Sequence, residues 1–266
     1  MVYVVLSPAK TLKFDARRTG LQASLPHFQA RANALVHELR QLSAKDLGEL
    51  MKLSPKLAQL NVDRFDAFTD VTDDMLTELQ QQSGEQYAMA VLAYRGDTYQ
   101  GLNAIDLSDK DLQWAQSHIG ILTGLYGVLQ PLDMIQPYRL EMGTRLSVDA
   151  HKNLYDYWGD TITDHINTHL AAHGLNAVIG CASKEYLDAV QIDNLHVPFI
   201  QCDFKERGKD GTLKIVGLFA KRARGMMARY VIENRVTDAE QVKQFDFGGY
   251  RYEGALSTDH NFVFIR

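Results

Sequence analysis

The sequence predicts an α+β fold, a mixed sheet with surrounding helices, in a single domain that spans residues 1–266. Strand-like and helix-like stretches are interspersed without the strict strand–helix rhythm of a doubly wound sheet. No linker, repeat or low-complexity segment divides the chain, so one domain is the simpler interpretation. A hydrophobic fraction of 45% with 23% charged residues is typical of a globular chain that buries a substantial core.

Helices are predicted where apolar residues recur every three to four positions. Pro26 suits the first turn of the first helix, Ser43 and Ser108 are expected to be N-caps, and Gly174 ends a long helical stretch. In chain order, the predicted helices cover residues 25–42, 44–53, 55–68, a stretch after the capping box 108–111, 151–173 and 222–234, with a further capping box at 237–240.

Strands are predicted where short β-rich apolar runs meet turn-forming residues. Single strands are expected at residues 2–6, 89–94, 177–182 and 262–265. Residues 197–204 and 213–220 flank Gly208-Lys-Asp-Gly211, and this pattern predicts a β-hairpin.

The composition limits the classes of function. No apolar run is long enough to span a bilayer, and the start of the chain resembles a strand rather than a signal peptide, so we expect a cytoplasmic protein without a membrane partner. Cys181 and Cys202 are the only cysteines, which argues against a disulfide framework. The net charge of -5 gives no overall attraction to nucleic acid, so any polyanion site must be local.

The strongest local charge feature is the predicted basic helix. Four cations, Lys221, Arg222, Arg224 and Arg229, lie within nine residues with only Glu233 close to them in sequence. Lys221 and Arg224 fall near one another on a helix surface, and guanidinium groups bind phosphate bidentately. The pattern predicts an anion site, with a solvated helix face as the alternative.

Two further segments carry cations at turns. Lys10, Thr11 and Lys13 follow the first strand, where they would meet a phosphate or carboxylate at the end of a sheet, although the glycines of a P-loop are absent. The alternative is a loop with incidental lysines.

The second of these segments, residues 50–65, predicts two helices joined at Ser54-Pro55, with Lys52 and Lys56 on either side. Such a helix–hairpin–helix offers backbone N–H groups to DNA phosphates, but the usual glycine-rich hairpin is missing. A helix pair that only packs is the alternative.

Residues 123–142 contain two glycines, two prolines and two tyrosines, and no helix or strand period fits them. An irregular connection of this kind often lines a cleft, where Tyr126 or Tyr138 would stack on a base. A structural connection over the core is the alternative.

Titratable side chains give weaker signals. His165, His169 and His173 share a helix face, but no carboxylate motif accompanies them, so we expect no metal and no cofactor. Asp156 and Asp160 are spaced to face one site. With these two, the candidates for acid–base chemistry are Asp97, Asp133, Glu141 and Glu185.

A series of short motifs follows in order along the chain: Ser7-Pro-Ala-Lys-Thr-Leu12, Arg95-Gly-Asp-Thr-Tyr-Gln-Gly-Leu102, Gly124-Leu-Tyr-Gly-Val-Leu129, Pro131-Leu-Asp133, Gln136-Pro-Tyr-Arg-Leu-Glu-Met142, Leu154-Tyr-Asp-Tyr-Trp-Gly-Asp160, Ala182-Ser-Lys-Glu-Tyr186, Ala220-Lys-Arg-Ala-Arg-Gly225 and Ile232-Glu-Asn-Arg235. Together they resemble the bacterial YaaA family of peroxide-stress proteins, over residues 2 to about 250. The resemblance implies a family-specific α+β fold with a basic cleft and a helix–hairpin–helix element. It also implies double-stranded DNA binding without sharp sequence preference, and a link to control of unincorporated iron, but no firmly assigned reaction.

The DNA-binding candidates that the resemblance implies are Lys10, Arg139, Lys184, Lys221, Arg222 and Arg224 in the cleft, and Lys52, Ser54 and Lys56 at the hairpin. The sequence departs from the family pattern at Gln130, where an arginine usually precedes Pro-Leu-Asp, so we expect one cation fewer in the cleft. The three helix histidines also lie outside the pattern, which weakens a model of direct iron binding.

The leading hypothesis is therefore a DNA-binding protein of the peroxide-stress response, with double-stranded DNA as partner. The second is an enzyme acting on a nucleotide or other small anionic ligand, since the motifs hold more Asp, Glu and Tyr than phosphate binding requires. Direct iron binding is a third and weaker hypothesis, because few clustered ligands are visible.

Overall fold

A computed structural model describes residues 1–81 and 86–266 of the chain. The helices, in chain order, are α1 (Gln29–Arg40), α2 (Ala44–Met51), α3 (Pro55–Ala67), α4 (Leu76–Gln81), α5 (Ala90–Ala93), α6 (Asp97–Leu102), α7 (Asp109–His118), α8 (Leu154–Trp158), α9 (Thr161–His173), α10 (Lys184–Leu187) and α11 (Gly217–Glu233). Short 3₁₀ helices lie at Asp73–Met75, Ala104–Asp106, Ile192–Asn194, Ala239–Gln244, Phe247–Gly249 and Gly254–Leu256. Within the described ranges, no helix is long and apolar enough to cross a membrane.

The strands, in chain order, are β1 (Val2–Leu6), β2 (Thr11–Leu12), β3 (Ala88–Met89), β4 (Tyr94–Arg95), β5 (Ile119–Thr123), β6 (Gly127–Leu129), β7 (Met134–Ile135), β8 (Ala177–Cys181), β9 (Phe199–Arg207), β10 (Leu213–Lys214), β11 (Arg251–Tyr252) and β12 (Asn261–Ile265). The main sheet has the order β11-β12-β9-β8-β1-β5-β6, and β10 pairs with β9. Neighbours from β12 to β5 are parallel, whereas β6, β10 and β11 pair antiparallel. The predicted α+β fold with a mixed sheet and surrounding helices is confirmed.

The centre of the sheet is formed by β1 and β8, and every residue of both strands is buried. Apolar residues on both faces are typical of a parallel strand covered on both sides, which explains the unbroken apolar runs in the sequence. Leu6 pairs with Cys181 in the register, so the chain leaves the two strands at the same edge of the sheet. A side chain joins the two strand ends there, because the Ser183 N–H donates to Ser7 Oγ at 2.7 Å.

Several local predictions are confirmed. Ser43 and Ser108 cap α2 and α7 in capping boxes completed by aspartates three residues later. Gly174 ends α9 with a left-handed φ of 61°, a conformation that glycine adopts without steric cost. The capping box predicted at 237–240 forms one residue later, since Asp238 rather than Thr237 is the N-cap.

Other predictions are wrong for identifiable reasons. The strand predicted at residues 89–94 is instead a helical turn, α5, between two short strands. Its four residues are all small or apolar and buried, so their sequence has no periodicity that would distinguish a helix from a strand. The helix predicted over 151–173 breaks at Gly159, whose φ is 46°. Pro26 lies before α1, and the second hairpin strand is only β10 because residues 217–220 belong to α11.

Candidate functional site

A concave pocket opens at the edge of the sheet where β1 and β8 end, with a volume of about 480 Å³. The loop after β1, the turn before α6, the segment 138–141, the start of α10 and one face of α11 form its walls. We call it the basic pocket, and its lining residues are Ser7, Pro8, Ala9, Lys10, Thr11, Arg95, Gly96, Asp97, Thr98, Tyr138, Arg139, Leu140, Glu141, Ser183, Glu185, Tyr186, Lys221 and Arg224.

The crossing of α6 and α11 sets one wall of the basic pocket. A Cβ on Gly225 would lie 1.7 Å from the Thr98 carbonyl oxygen, and one on Gly101 would lie 2.0 Å from the Arg222 carbonyl oxygen. Only glycine permits this backbone approach, so both motif glycines have a packing role. Because the helices cross here, Lys221 and Arg224 of α11 line the same pocket as Asp97 and Thr98 of α6.

Five cations and three carboxylates line the basic pocket, which gives it a formal charge of +2 in a chain whose net charge is -5. Glu141 accepts from both Lys10 Nζ at 3.1 Å and Arg139 at 3.0 Å. Arg95 pairs with Asp15 at 2.8 Å, a residue that does not line the pocket. These three cations are therefore held in place by ion pairs.

The remaining two cations have a different status. Within the described part of the chain, neither Lys221 nor Arg224 has a hydrogen-bond or ion-pair partner, and the Arg224 Nε is buried and unpaired. The Nε of Arg139 is also buried without a partner, although its terminal nitrogen binds Glu141. An unmade hydrogen bond at a buried donor costs about 1–3 kcal/mol, so each of these two pocket arginines carries one unsatisfied buried nitrogen.

Hydroxyl-bearing residues, among them Ser7, Ser183 and Tyr138, also line the pocket. The Ser7 and Ser183 Oγ atoms lie 3.3 Å apart, and the Tyr99 hydroxyl donates to the Ser7 carbonyl oxygen at 3.1 Å. The Tyr138 hydroxyl donates to Thr123 Oγ1 at 2.9 Å and lies 2.5 Å from that of Tyr94. Burial raises the pKa of Tyr138 to about 12, so its phenol keeps its proton at neutral pH.

Of the irregular segment 123–142, which was expected to line a cleft, residues 138–141 line the pocket, whereas residues 123–137, which we call the buried connection, do not. Asp133 of the buried connection is 2% exposed and accepts from Ser24 Oγ at 2.6 Å and from the Gln130 N–H at 2.8 Å. Burial raises the pKa of Asp133 to about 7 in spite of these hydrogen bonds. Tyr126 is fully buried and its hydroxyl accepts from the Gln136 N–H, so the prediction that it stacks on a base is wrong.

Gln130 also belongs to the buried connection. Its amide nitrogen lies 3.3 Å from His169 Nδ1, and the residue does not line the basic pocket. The expected loss of a cleft cation at this position therefore does not apply to the pocket that the structure forms.

Of the predicted DNA-binding residues, four line the basic pocket: Lys10, Arg139, Lys221 and Arg224. Lys184 instead pairs with Asp188 at 2.7 Å, and Arg222 is exposed on α11 outside the lining. Arg95 also lines the pocket, but it was not among the predicted binding residues, although it begins one of the shared motifs. It precedes Gly96, whose φ is 133°.

The other three candidates lie where α2 and α3 meet. Lys52 ends α2 with a left-handed φ of 53°, and Gly48 of α2 packs against Ala58 of α3. Unlike Ser43 and Ser108, Ser54 makes no side-chain hydrogen bond to cap its helix. None of Lys52, Ser54 and Lys56 lines the basic pocket.

The helix histidines and the pair Asp156 and Asp160 do not come together in a common site. His165 stacks on His27 at 4.1 Å, and burial lowers the pKa of His165 to about 4. Asp156 and Asp160 bind different partners on either side of the helix break, the Lys152 N–H and Gln191 respectively. In the part of the chain that the structure describes, no group of three or more His, Cys, Asp or Glu residues is arranged to hold a metal ion.

Nearly the whole chain, and not only the pocket, is similar to known proteins. A family model described as "Peroxide stress protein YaaA" matches residues 2–256. A UPF0246 protein of Caulobacter vibrioides is 46% identical over 263 residues, covering 99% of this chain and 98% of the relative. UPF0246 proteins of Acaryochloris marina and Dinoroseobacter shibae are 45% and 47% identical, over 99% and 98% of this chain and 99% and 94% of their own lengths.

Proposed function

The chain belongs to the peroxide stress protein YaaA family, and from that premise we propose that it is a DNA-binding protein of the peroxide-stress response. In this proposal the basic pocket and the cations around it contact DNA phosphates without reading base sequence. The observation that carries the proposal is the pair of unpaired cations on α11, Lys221 and Arg224, in a pocket of formal charge +2. Local positive charge of this kind attracts a polyanion even though the chain as a whole is acidic.

The α2–α3 pair supports a second point of phosphate contact. The side chain of Ser54 leaves the first N–H groups of α3 uncapped, and Lys52 and Lys56 flank them. Anions bind favourably at helix N-termini, where N–H groups and the helix dipole point at the ligand. We propose that this turn acts as the helix–hairpin–helix element, with Lys52 in place of a hairpin glycine.

The proposal includes a cytoplasmic location and a role in limiting damage from unincorporated iron. The location fits two cysteines that are both free thiols. The role in limiting iron damage rests on the family resemblance, and the chemistry is consistent with it. Ferrous iron held at DNA phosphates gives one electron to hydrogen peroxide, which leaves ferric iron, a hydroxide ion and a hydroxyl radical beside the strand. A protein that occupies those phosphates would shield them.

A second candidate function is an enzyme that acts on a nucleotide or another small anionic substrate. The specific observation that favours it is the presence of Asp97 and Glu185 in the pocket beside the cations, since simple phosphate binding needs no carboxylate. A turnover assay with nucleotides, in which Asp97→Asn loses activity but keeps binding, would support this function over DNA binding alone.

Fluorescence anisotropy of a labelled duplex across a salt series tests the leading proposal. We expect log Kd to rise linearly with log salt, and each of Lys221→Gln and Arg224→Gln to lower the slope by about one. Lys209→Gln removes an equal charge from a turn outside the pocket and serves as the matched control. Weak binding with a slope that none of these variants changes would contradict the proposal.

A further inference from the structure

We propose that the basic pocket binds a phosphate monoester, either a free nucleotide or the terminal phosphate of a DNA strand, in preference to the internal diester of a duplex. This inference rests on the proposed function, because it specifies which phosphate the pocket receives. Three features carry it: the shape of the pocket, the number of its unpaired donors, and its carboxylates.

The shape favours a terminal group. The pocket is a concavity of about 480 Å³ with walls from five separate chain segments. Pockets of a few hundred Å³ are typical of small-molecule sites, in which most of the ligand surface is buried. An internal phosphate of a duplex is flanked by a sugar on each side along a convex backbone, so it approaches the cations inside such a space less closely than a terminal group does. A terminal phosphate projects beyond the duplex and can enter.

The donors match the charge of a monoester. Arg224 and Lys221 line the pocket, and neither side chain has a hydrogen-bond or ion-pair partner among the described residues, so the terminal nitrogens of both are left for a ligand. A phosphate monoester presents three terminal oxygens and a charge between -1.5 and about -2 at neutral pH, whereas a diester presents two oxygens and a single charge. Charge-assisted bonds to arginine are therefore stronger and more numerous for the monoester.

The carboxylates favour a nucleotide over inorganic phosphate. Glu141 is neutralised by Lys10 and Arg139, but Asp97 has no hydrogen-bond or ion-pair partner within residues 1–81 and 86–266. Glu185 accepts one hydrogen bond, from the Gly143 N–H at 3.0 Å. Acceptors beside an anion site suit the part of the ligand that donates, which in a nucleotide is a sugar hydroxyl or a base amino group.

Arg222 is the residue to compare with Arg224, because it distinguishes a cation on the exposed surface of α11 from a cation inside the pocket. It is the neighbour of Lys221 in sequence, but it is exposed and lies outside the lining. Loss of the Arg222 charge should weaken every duplex alike, because it contributes only to the field around the DNA. Loss of Arg224 should remove the discrimination between a monoester and a diester.

The experiment measures binding of three duplexes of the same sequence: one with 5′-phosphates, one with 5′-hydroxyls, and one whose ends are closed by hairpins. We expect the phosphorylated duplex to bind about tenfold tighter than the other two, and deoxyadenosine monophosphate but not deoxyadenosine to compete with it. Arg224→Gln should abolish the preference, Arg222→Gln should weaken all three duplexes while it keeps the preference, and Lys209→Gln should keep it as well. Lys221→Gln provides a second pocket variant if Arg224→Gln does not fold.

Two outcomes separate this inference from the proposed function. Equal affinity for all three duplexes, with no competition by the nucleotide, would overturn the monoester site and leave DNA binding intact. If no duplex binds but deoxyadenosine monophosphate raises the melting temperature of the wild type and not of Arg224→Gln, the monoester site stands for a free nucleotide and the DNA proposal fails.

Discussion

The basic pocket and the buried connection are both rich in polar side chains on irregular backbone, yet they satisfy those groups in opposite ways. In the buried connection, Asp133 accepts two hydrogen bonds and the Tyr126 hydroxyl accepts another, all from groups within the protein. In the pocket, the Nε atoms of Arg139 and Arg224 are buried but have no partner in the described chain. Buried polar groups are normally paired, and the two unpaired buried side-chain nitrogens in the described residues both belong to pocket arginines, whereas the unpaired oxygens of Asn61 and Asn261 lie outside the pocket.

The contrast leads to opposite expectations for substitution. Changes in the buried connection should alter the free energy of unfolding and leave DNA affinity unchanged. Changes of the unpaired pocket cations should alter affinity and leave stability unchanged. A residue that holds the pocket wall to the core should affect both.

The largest effect that we expect is a pH dependence of stability from Asp133. Burial raises its pKa from 3.8 to about 7, so between these values the unfolded chain is ionised while the folded chain keeps the proton. Stability due to this group is therefore lost as pH rises from 4 to 7, by about 4 kcal/mol at 1.36 kcal/mol per pKa unit. Chemical denaturation of the wild type and Asp133→Asn at pH 4, 5.5 and 7 measures the difference, and a stability difference that does not change with pH would contradict it.

The second largest effect is expected for Gly225→Ala, which tests whether the packing of α6 on α11 affects both stability and DNA binding. The added methyl group would lie 1.7 Å from the Thr98 carbonyl oxygen, so α6 and α11 must separate. We expect a loss of about 3 kcal/mol in unfolding free energy together with weaker DNA binding, since both walls of the pocket move.

The matched control is Gly217→Ala in the same helix, where a Cβ meets nothing within 4 Å. It should leave both stability and affinity close to wild type. Equal behaviour of the two variants would show that the close crossing of α6 and α11 does not shape the pocket.

A smaller effect is expected from Tyr126→Phe, which removes a hydroxyl without changing the packing. The Gln136 N–H would lose its acceptor in the core, at a cost of about 1–2 kcal/mol in unfolding free energy, with no change in DNA affinity. Tyr252→Phe is the control, because the Tyr252 hydroxyl has no hydrogen-bond partner in the described residues. Altered DNA affinity in Tyr126→Phe would argue that the buried connection takes part in binding.

The smallest effect is expected at the α2–α3 turn. Lys52→Gln and Lys56→Gln each remove one exposed charge near the start of α3, and we expect each to lower affinity less than fivefold and to reduce the salt slope by about one. Lys209→Gln, which removes an exposed charge from the turn between β9 and β10, is the control of equal charge. A loss as large as that of a pocket variant would place the main phosphate contact at the turn rather than in the pocket.

The sequence predicted the positions of the helices and strands better than it predicted which residues come together in space. The runs at residues 2–6 and 177–182 became the central strands, and both serine capping boxes formed, because these signals are local. The strand predicted at 89–94 was wrong, since a fully buried apolar run does not distinguish a strand from a helical turn. The family and the α+β class were predicted from motifs and from the mixture of elements.

The site was predicted only in part, since its residues are distant in sequence. Arg224 and Lys221 were identified from charge density on one helix, and Lys10 and Arg139 from the shared motifs. Arg95 was missed because nothing local shows that β4 pairs with β2 beside the pocket. Of the segment 123–142, which was expected to line a cleft, residues 138–141 line the pocket. Composition does not reveal that the donors and acceptors of residues 123–137 bind one another.

The most direct test of the pocket is the dissociation constant of Arg224→Gln for a 5′-phosphorylated duplex at fixed ionic strength, measured beside its unfolding free energy. We expect affinity to fall at least tenfold, about 1.4 kcal/mol, while the free energy of unfolding stays within about 0.5 kcal/mol of wild type. Wild-type affinity in a folded Arg224→Gln protein would contradict the assignment of the unpaired arginine to phosphate binding.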